Sequence, residues 1–325
     1  MEQNRPTAQT SATQAPTPDA GRGQPATPDG VARFHWVKIA EPISIAGLFI
    51  FMLGCSWLRW MDPLIDFPRD LYMAWRLSEG DLLYVKLANY YGPLAQLIEA
   101  GGFRVFGVGL GVMVGMNIGL AIVVLLLLRA IFGAVGNRLS MWLCSVAFLA
   151  AFVVGHYSVV ANANFIAPYV AQAAYGFAGL LLLLWGLLRN LKTERSFWLG
   201  VAGLGLAIAY LDKPEPLLAG LGALGLYFLA QISQRARHDT AALTKLSVQQ
   251  WIWRAGAWLA GGFGILWFAV FLFFLRQGGV AYAWLAVNYV PHTLMDGAYR
   301  EVILHSSFMQ GMLGVDHPVE NFFTQ

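Results

Sequence analysis

Long apolar stretches, each closed by a short polar or turn-rich segment, set the rhythm of this chain. Crossing a hydrocarbon layer of about 30 Å takes about 20 residues of helix. Stretches of roughly that kind run from Ile43 to Trp60, Gly109 to Leu128, Leu139 to Val160, Phe165 to Leu188, Phe197 to Leu211, Pro216 to Ile232 and Trp253 to Leu275. Lipid offers no partner for an open strand edge, so each is expected as an α-helix. The pattern predicts an all-α, polytopic transmembrane bundle of about seven spans. Two shorter segments interrupt it after the first span. Asp66 with Pro68 behind it predicts a helix start, and Gly80 a stop after Ser78 or Glu79. A second, amphipathic helix is expected from Gly92-Pro93 to Phe106-Gly107. Both are too short to cross and are placed in the membrane interface.

Composition makes the membrane reading compulsory. Hydrophobic residues are 58% of the chain, charged residues 12%, and the mean hydropathy is +0.56. A water-soluble core of this size cannot hide that much apolar surface. Residues 1–38 read as a cytoplasmic tail, disordered where Pro, Thr, Gln, Ala and Gly dominate. The first apolar stretch begins past residue 40 and is expected to be a retained span rather than a cleaved signal peptide. Residues 39–275 form the transmembrane domain, with an outside loop at 61–108, and residues 276–325 an outside C-terminal segment. Cys55 and Cys144 both fall within spans, so no disulfide is expected.

The net charge of +3 adds orientation rather than a partner. Arg33 and Lys38, Arg129 and Arg138, Arg189 to Arg195, and Arg235 to Arg254 alternate to one side of the predicted spans, which makes that side cytoplasmic. No basic stripe interleaved with aromatics points to nucleic acid. Membrane lipids are the partners that this surface implies.

The polar material gathered on the outer side is the place to look for chemistry. In "DFPRDLYMAWRLSEGDLLYVKLANYYGPLAQ", Asp66, Arg69, Asp70, Met73 and Leu77 share one helical face. Each candidate has a plainer role beside the functional one. Asp66 serves as an N-cap; Arg69 and Asp70 as a surface ion pair; Tyr84, Tyr90 and Tyr91 as an interfacial aromatic belt; Lys213, between Asp212 and Glu215, as an interface anchor. His156, Asn162 and Asn164 suit turn hydrogen bonding, and His292 and His305 match no metal-binding spacing. Asp66 and Asp70 are the only pair placed to share a divalent cation, and without a third carboxylate no cofactor is assigned.

A first span, an outside loop opening on an acid, "EGDLLY", "YGPL" and "FRVFG", then "NANFIAPYVAQAAYG" and "GLGLAIAYLDKPEPLLA", resemble in order and spacing the GT-C membrane glycosyltransferases. Among these the protein mannosyltransferases and the aminoarabinose transferases of lipid A are the most similar in kind. The resemblance covers roughly Ile43 to Leu218. It implies a polyprenyl-phosphate sugar as donor, inverting transfer to an acceptor on the outer face, and a plasma membrane of the bacterial inner-membrane kind. It makes Asp66 the base or acceptor-orienting group and Lys213 a donor-phosphate contact, with Arg69, Asp70, Tyr84, Tyr91 and Glu215 as binding neighbours. Family members are usually longer, so the resemblance leaves two expectations open: a fragment of a longer enzyme, or a member lacking the later donor-binding elements. Sugar and acceptor are not specified. A carrier or lipid-binding subunit using the same groove is the competing expectation.

The charge pattern yields a direct test. A reporter active only outside the cytoplasm is expected to be active when fused after Gln325 and silent when fused after Arg195; the reverse result overturns the orientation.

Overall fold

A computed structural model of the chain describes residues 28–57, 59, 67–154, 164–238 and 245–295. Ten α-helices make up its regular structure: α1 Pro28–Ser56, α2 Phe67–Ser78, α3 Leu94–Phe106, α4 Leu110–Val135, α5 Arg138–Ala147, α6 Ala171–Thr193, α7 Phe197–Asp212, α8 Pro214–His238, α9 Lys245–Val287 and α10 Tyr289–Met295. A π-helical segment, Phe148–Val153, continues α5. Among the described residues the single extended pairing is an isolated bridge between Leu83 and Leu87. Contacts divide the chain after Ser44. The described part of the first unit is helix, with Pro42 inside it and the Ser44 hydroxyl donating to the Glu41 carbonyl at 2.7 Å. Everything below concerns the second unit, Ile45–Gln325.

Among the described residues five helices are long and apolar enough to cross a membrane: the Ile39–Ser56 part of α1, α4, α6, the Pro214–Arg235 part of α8 and the Gln249–Val287 part of α9. The predicted spans at 139–160 and 197–211 correspond to shorter apolar helices, Arg138–Val153 and Phe197–Asp212. Their surroundings are inverted relative to a protein folded in water. Leu126, Leu226 and Ile265 are 58%, 70% and 73% exposed, while Gln96, Glu99, Asn117, Gln172 and Asp212 are closed off inside. Lipid facing the bundle accounts for both.

Burial ranks the helices. The apolar window of α6 is 61% buried, against 11–22% for the other four, so α6 is the central element. One apolar cluster joins Ile45 of α1 to Met113 and Val124 of α4, Phe148 and Leu149 of the π segment and Leu181 of α6. A second joins Met73 and Leu77 of α2 to Leu211 of α7 and Phe274 and Val287 of α9. A third fills the space between α6, α7, α8 and α9 around Leu183, Leu199 and Tyr227. Where α6 meets α7, backbone lies against backbone. A Cβ on Gly205 would stand 2.4 Å from the Leu183 nitrogen and 2.5 Å from the Gly179 carbonyl oxygen. Small residues at a helix seam permit this approach, which replaces the hydrophobic drive that lipid cannot supply.

Both short helices before the second long apolar stretch form where expected, as α2 and α3. Two boundaries and the setting of one helix differ. α6 starts at Ala171 rather than Phe165, because Pro168 lies in the stretch and Val170 is extended at φ −141° and ψ 113°. The long stretch ending at Leu275 continues as helix to Val287, broken at Gly279, whose φ of 82° is left-handed. Beyond that break Ala283, Ala286 and Val287 turn into the cluster around Met73 and Leu77. Helix α3 is the third: its exposed side carries Ile98, Val105 and Phe106, and its buried side carries Gln96 and Glu99. An interfacial helix with its polar face inward has become part of the bundle wall.

The α6–α7 seam sets a stability test. Gly205→Val places side-chain atoms where Leu183 and Gly179 backbone already stands, at a cost of about 1–3 kcal/mol or more. A clear fall in melting temperature in detergent is expected, whereas Gly222→Val, with open space around it, is expected to leave the melt unchanged.

Candidate functional site

The inward face of α3 draws four other elements together. Helices that begin away from water leave first-turn amides without partners. At the start of α3, the Ala95 N–H donates to Asp212 Oδ1 at 2.9 Å, and the preceding Gly92 N–H donates to the Asp212 carbonyl at 2.9 Å. Gly92 lies so close that a Cβ there would be 2.0 Å from the Leu211 carbonyl oxygen, which is why "YGPL" carries glycine. At the start of α6, the Ala171 N–H donates to Asp70 Oδ2 at 3.0 Å. Asp70 Oδ1 accepts from Gln96 Nε2 and Arg69, each at 3.4 Å. Gln172 of α6 donates through Nε2 to Gln96 Oε1, closing a chain from α2 through α3 to α6.

Glu99 lies one turn further along α3, 1% exposed, with no hydrogen-bond partner for either oxygen among the described residues. Burial, with the Asp70 and Asp212 carboxylates beside it, pushes its carboxyl well above the usual carboxylate range. Asp70 and Asp212 each have an amide donor; Glu99 has none and holds its proton instead.

The predicted residues fall into two linked groups. Arg69 and Asp70 stand together as expected, yet Asp70 is buried rather than at the surface, with its side chain only 2% exposed. Both of its oxygens already accept from other groups, so its place is at the head of α6 and not in contact with a substrate hydroxyl. Lys213 and Glu215 pair at 3.2 Å, and the Lys213 ammonium lies 5.4 Å from the centre of the Tyr91 ring. Tyr84, at φ 64°, donates its hydroxyl to the Tyr91 carbonyl at 2.7 Å and stacks on Tyr289 of α10 at 4.2 Å. The Tyr84 ring thus fastens the segment around residues 83–91 against α10 instead of standing in an exposed aromatic belt. Tyr282 and Tyr210 continue the fastening, donating to the Leu83 carbonyl at 2.8 Å and Asn288 Oδ1 at 2.6 Å. Asn164 holds a turn as expected, accepting from the Ala167 N–H at 2.6 Å. Asp66, His156, Asn162 and His305 lie outside the described residues.

Beside this network a cavity of about 610 Å³ opens between α4, α5, the π segment and α6. Phe132, Phe148, Phe152, Phe165 and Phe177 contribute its walls, and Lys213 is the one charged residue among the described residues lining it. Such a cavity fits a hydrocarbon chain with an anionic end held at the cation. Among the described residues no three His, Cys, Asp or Glu side chains converge as a metal site.

Comparison with protein-family models, with curated proteins and with solved structures found no match to this chain.

Gln96, Glu99, Gln172 and Asp212 were not singled out from the sequence. A usable signal was present: Gln96 and Glu99 are three apart in an otherwise apolar helix, and Asp212 ends an apolar one. In lipid, such polar positions face protein.

Glu99 gives a pH test with a definite sign. Its folded-state proton is held above the ordinary pKa of 4.5, so the folded state binds more protons than the unfolded one as pH rises through that value. The contribution of Glu99 to stability is therefore fully present below pH 4.5 and falls above it, by up to about 1 kcal/mol per pH unit until the proton is released. Glu99→Gln keeps the shape without the proton. Melting curves from pH 5 to 8 are expected to show the variant gaining on the parent as pH rises, and parallel curves would contradict the assignment.

Proposed function

We propose that this chain is a GT-C-type membrane glycosyltransferase, moving a sugar from a polyprenyl-phosphate donor to an acceptor hydroxyl on the outer face. The observation that carries the reading is the aromatic-walled apolar cavity with Lys213 as the one charged residue among the described residues lining it. A polyprenyl phosphate has the same division into hydrocarbon and anion. In this reading the α5 and α7 regions also cross the membrane, giving seven spans.

Lys213 takes the donor phosphate, exchanging Glu215 for a stronger acceptor, with Tyr91 below it to limit its movement. Asp66, immediately before α2, is the proposed base. The acceptor oxygen attacks the anomeric carbon as the bond to phosphate breaks; the acceptor proton passes to Asp66, and the electron pair leaves with the polyprenyl phosphate. Asp70, committed to the start of α6, positions the helix and takes no proton from the acceptor.

Purified protein in detergent, supplied with labelled polyprenyl-phosphate sugars and outer-envelope acceptors, tests the reading. Label is expected to move to acceptor. Lys213→Ala is expected to weaken donor use about 10-fold or more, with Lys213→Arg partly restoring it. Asp66→Asn is expected to bind donor and transfer about 10²–10⁴-fold more slowly. Donor binding with no transfer by the parent would favour a carrier instead, and parent-rate transfer by the Asn variant would remove Asp66 as base.

A further inference from the structure

At the opposite end of α6 from Asp70 and Lys213 a second cavity, of about 720 Å³, lies among the ends of α6, α7, α8 and α9. Along α6 the first cavity reaches Phe177 and the second begins at Asn190, about 20 Å further toward the other helix end. The second has a different chemistry. Arg195 comes from the α6–α7 turn, Arg235 from α8 and Arg254 from α9, and all three line it. Glu194 is the one acid among the described residues lining it, which gives these an excess of two positive charges. None of the three arginines makes an ion pair among the described residues.

The site is built rather than merely basic. The Arg235 guanidinium carbon stands over the Trp251 ring, 4.6 Å from its centre, with a guanidinium nitrogen 3.4 Å from Gln231 Oε1, so two neighbours hold it at the cavity. The turn bearing Arg195 is pinned from below: Asn190, 8% exposed, donates to the Arg195 carbonyl at 2.9 Å and accepts from the Tyr227 hydroxyl. Helix α7 opens at Ser196, which lines the cavity, so the positive end of that helix dipole adds to the field there. Retention of loops on the cytoplasmic side requires only a count of Lys and Arg. It does not require three guanidinium groups from separate elements around one cavity, or a tryptophan beneath one of them.

We infer that this cavity binds the phosphate of an anionic glycerophospholipid in the leaflet opposite the proposed transfer site. Phosphate is the anion that planar, bidentate guanidinium groups match. Lipid is favoured over free phosphate because the cavity lies at a span end and its rim is greasy: Phe197, Leu191 and Trp258 are 57%, 43% and 42% exposed. Acyl chains can lie against these while the headgroup enters. A basic cavity between span ends thus becomes a point of lipid selection, independent of whether the cavity at Lys213 takes a polyprenyl phosphate.

Native mass spectrometry and melting curves in neutral detergent with added phosphatidylglycerol, phosphatidylcholine or inorganic phosphate separate the outcomes. Phosphatidylglycerol is expected to bind saturably and raise the melting temperature, with phosphatidylcholine at least about 10-fold weaker. Replacing Arg195, Arg235 and Arg254 together by Gln is expected to abolish that preference, whereas Arg138→Gln, a basic change outside the cavity, retains it. Should the triple variant aggregate, each single Gln variant is expected to weaken phosphatidylglycerol about 10-fold. Equal binding of the two lipids, or undiminished phosphatidylglycerol binding in the variants, overturns the site. Stabilisation by inorganic phosphate equal to that by phosphatidylglycerol overturns the lipid as its source.

Discussion

A helix that starts out of reach of water needs acceptors for its first amides, and here carboxylates on other helices supply them. Asp212 at the end of α7 takes the start of α3; Asp70 on α2 takes the start of α6. Each buried carboxyl group accepts from the backbone N–H of a helix start, which gives a partner both to that amide and to one carboxyl oxygen away from water. Because each acid sits on a different element from the helix it serves, the two contacts fix α2, α3, α6 and α7 relative to one another. Gln96 and Gln172 complete the connection. The cavity at Lys213 inherits its shape from this arrangement, since Lys213 follows Asp212 directly and α6 forms one of its walls.

Much of the fold was legible locally. Apolar length marked the helices, and Asp66-Pro68, Gly80, Gly92-Pro93 and Gly107 marked the limits of α2 and α3 within a residue or two. What was not legible depended on distance along the chain. The two carboxylate contacts join residues 101 and 117 positions apart, and no local period encodes them. Amphipathy has a further ambiguity, since a two-faced helix at a membrane can turn its apolar side to lipid or to protein. For α3 the buried Glu99 decides in favour of lipid outside. Tyr84 shows a different limit: the sequence marks an aromatic residue in a polar loop, but its partner, Tyr289, lies far downstream in a helix that the apolar pattern did not extend to.

Of the chemistry, Lys213 was legible because a lone cation between an aspartate and a Pro-Glu-Pro turn stands out against apolar sequence. The arginines of the opposite cavity were legible only as loop charge. Their convergence depends on the close approach of α6, α7 and α9, which a one-dimensional reading does not contain.

That close approach also distributes stiffness. Gly205 rests on the backbone of α6, and Gly262 of α9 faces the Gly200 carbonyl at a spacing that leaves no room for even a methyl group. Helices in such contact neither slide nor part without breaking many atomic contacts at once. On the other flank of α6 the wall is made of phenylalanine rings and a π-helical segment, whose wider hydrogen-bonding pattern departs from the regular α-helical ladder. The α7–α9 side of α6 is therefore the closely packed one, with backbone against backbone. The flank toward α5, aromatic and partly π-helical, is the one that leaves room for the cavity.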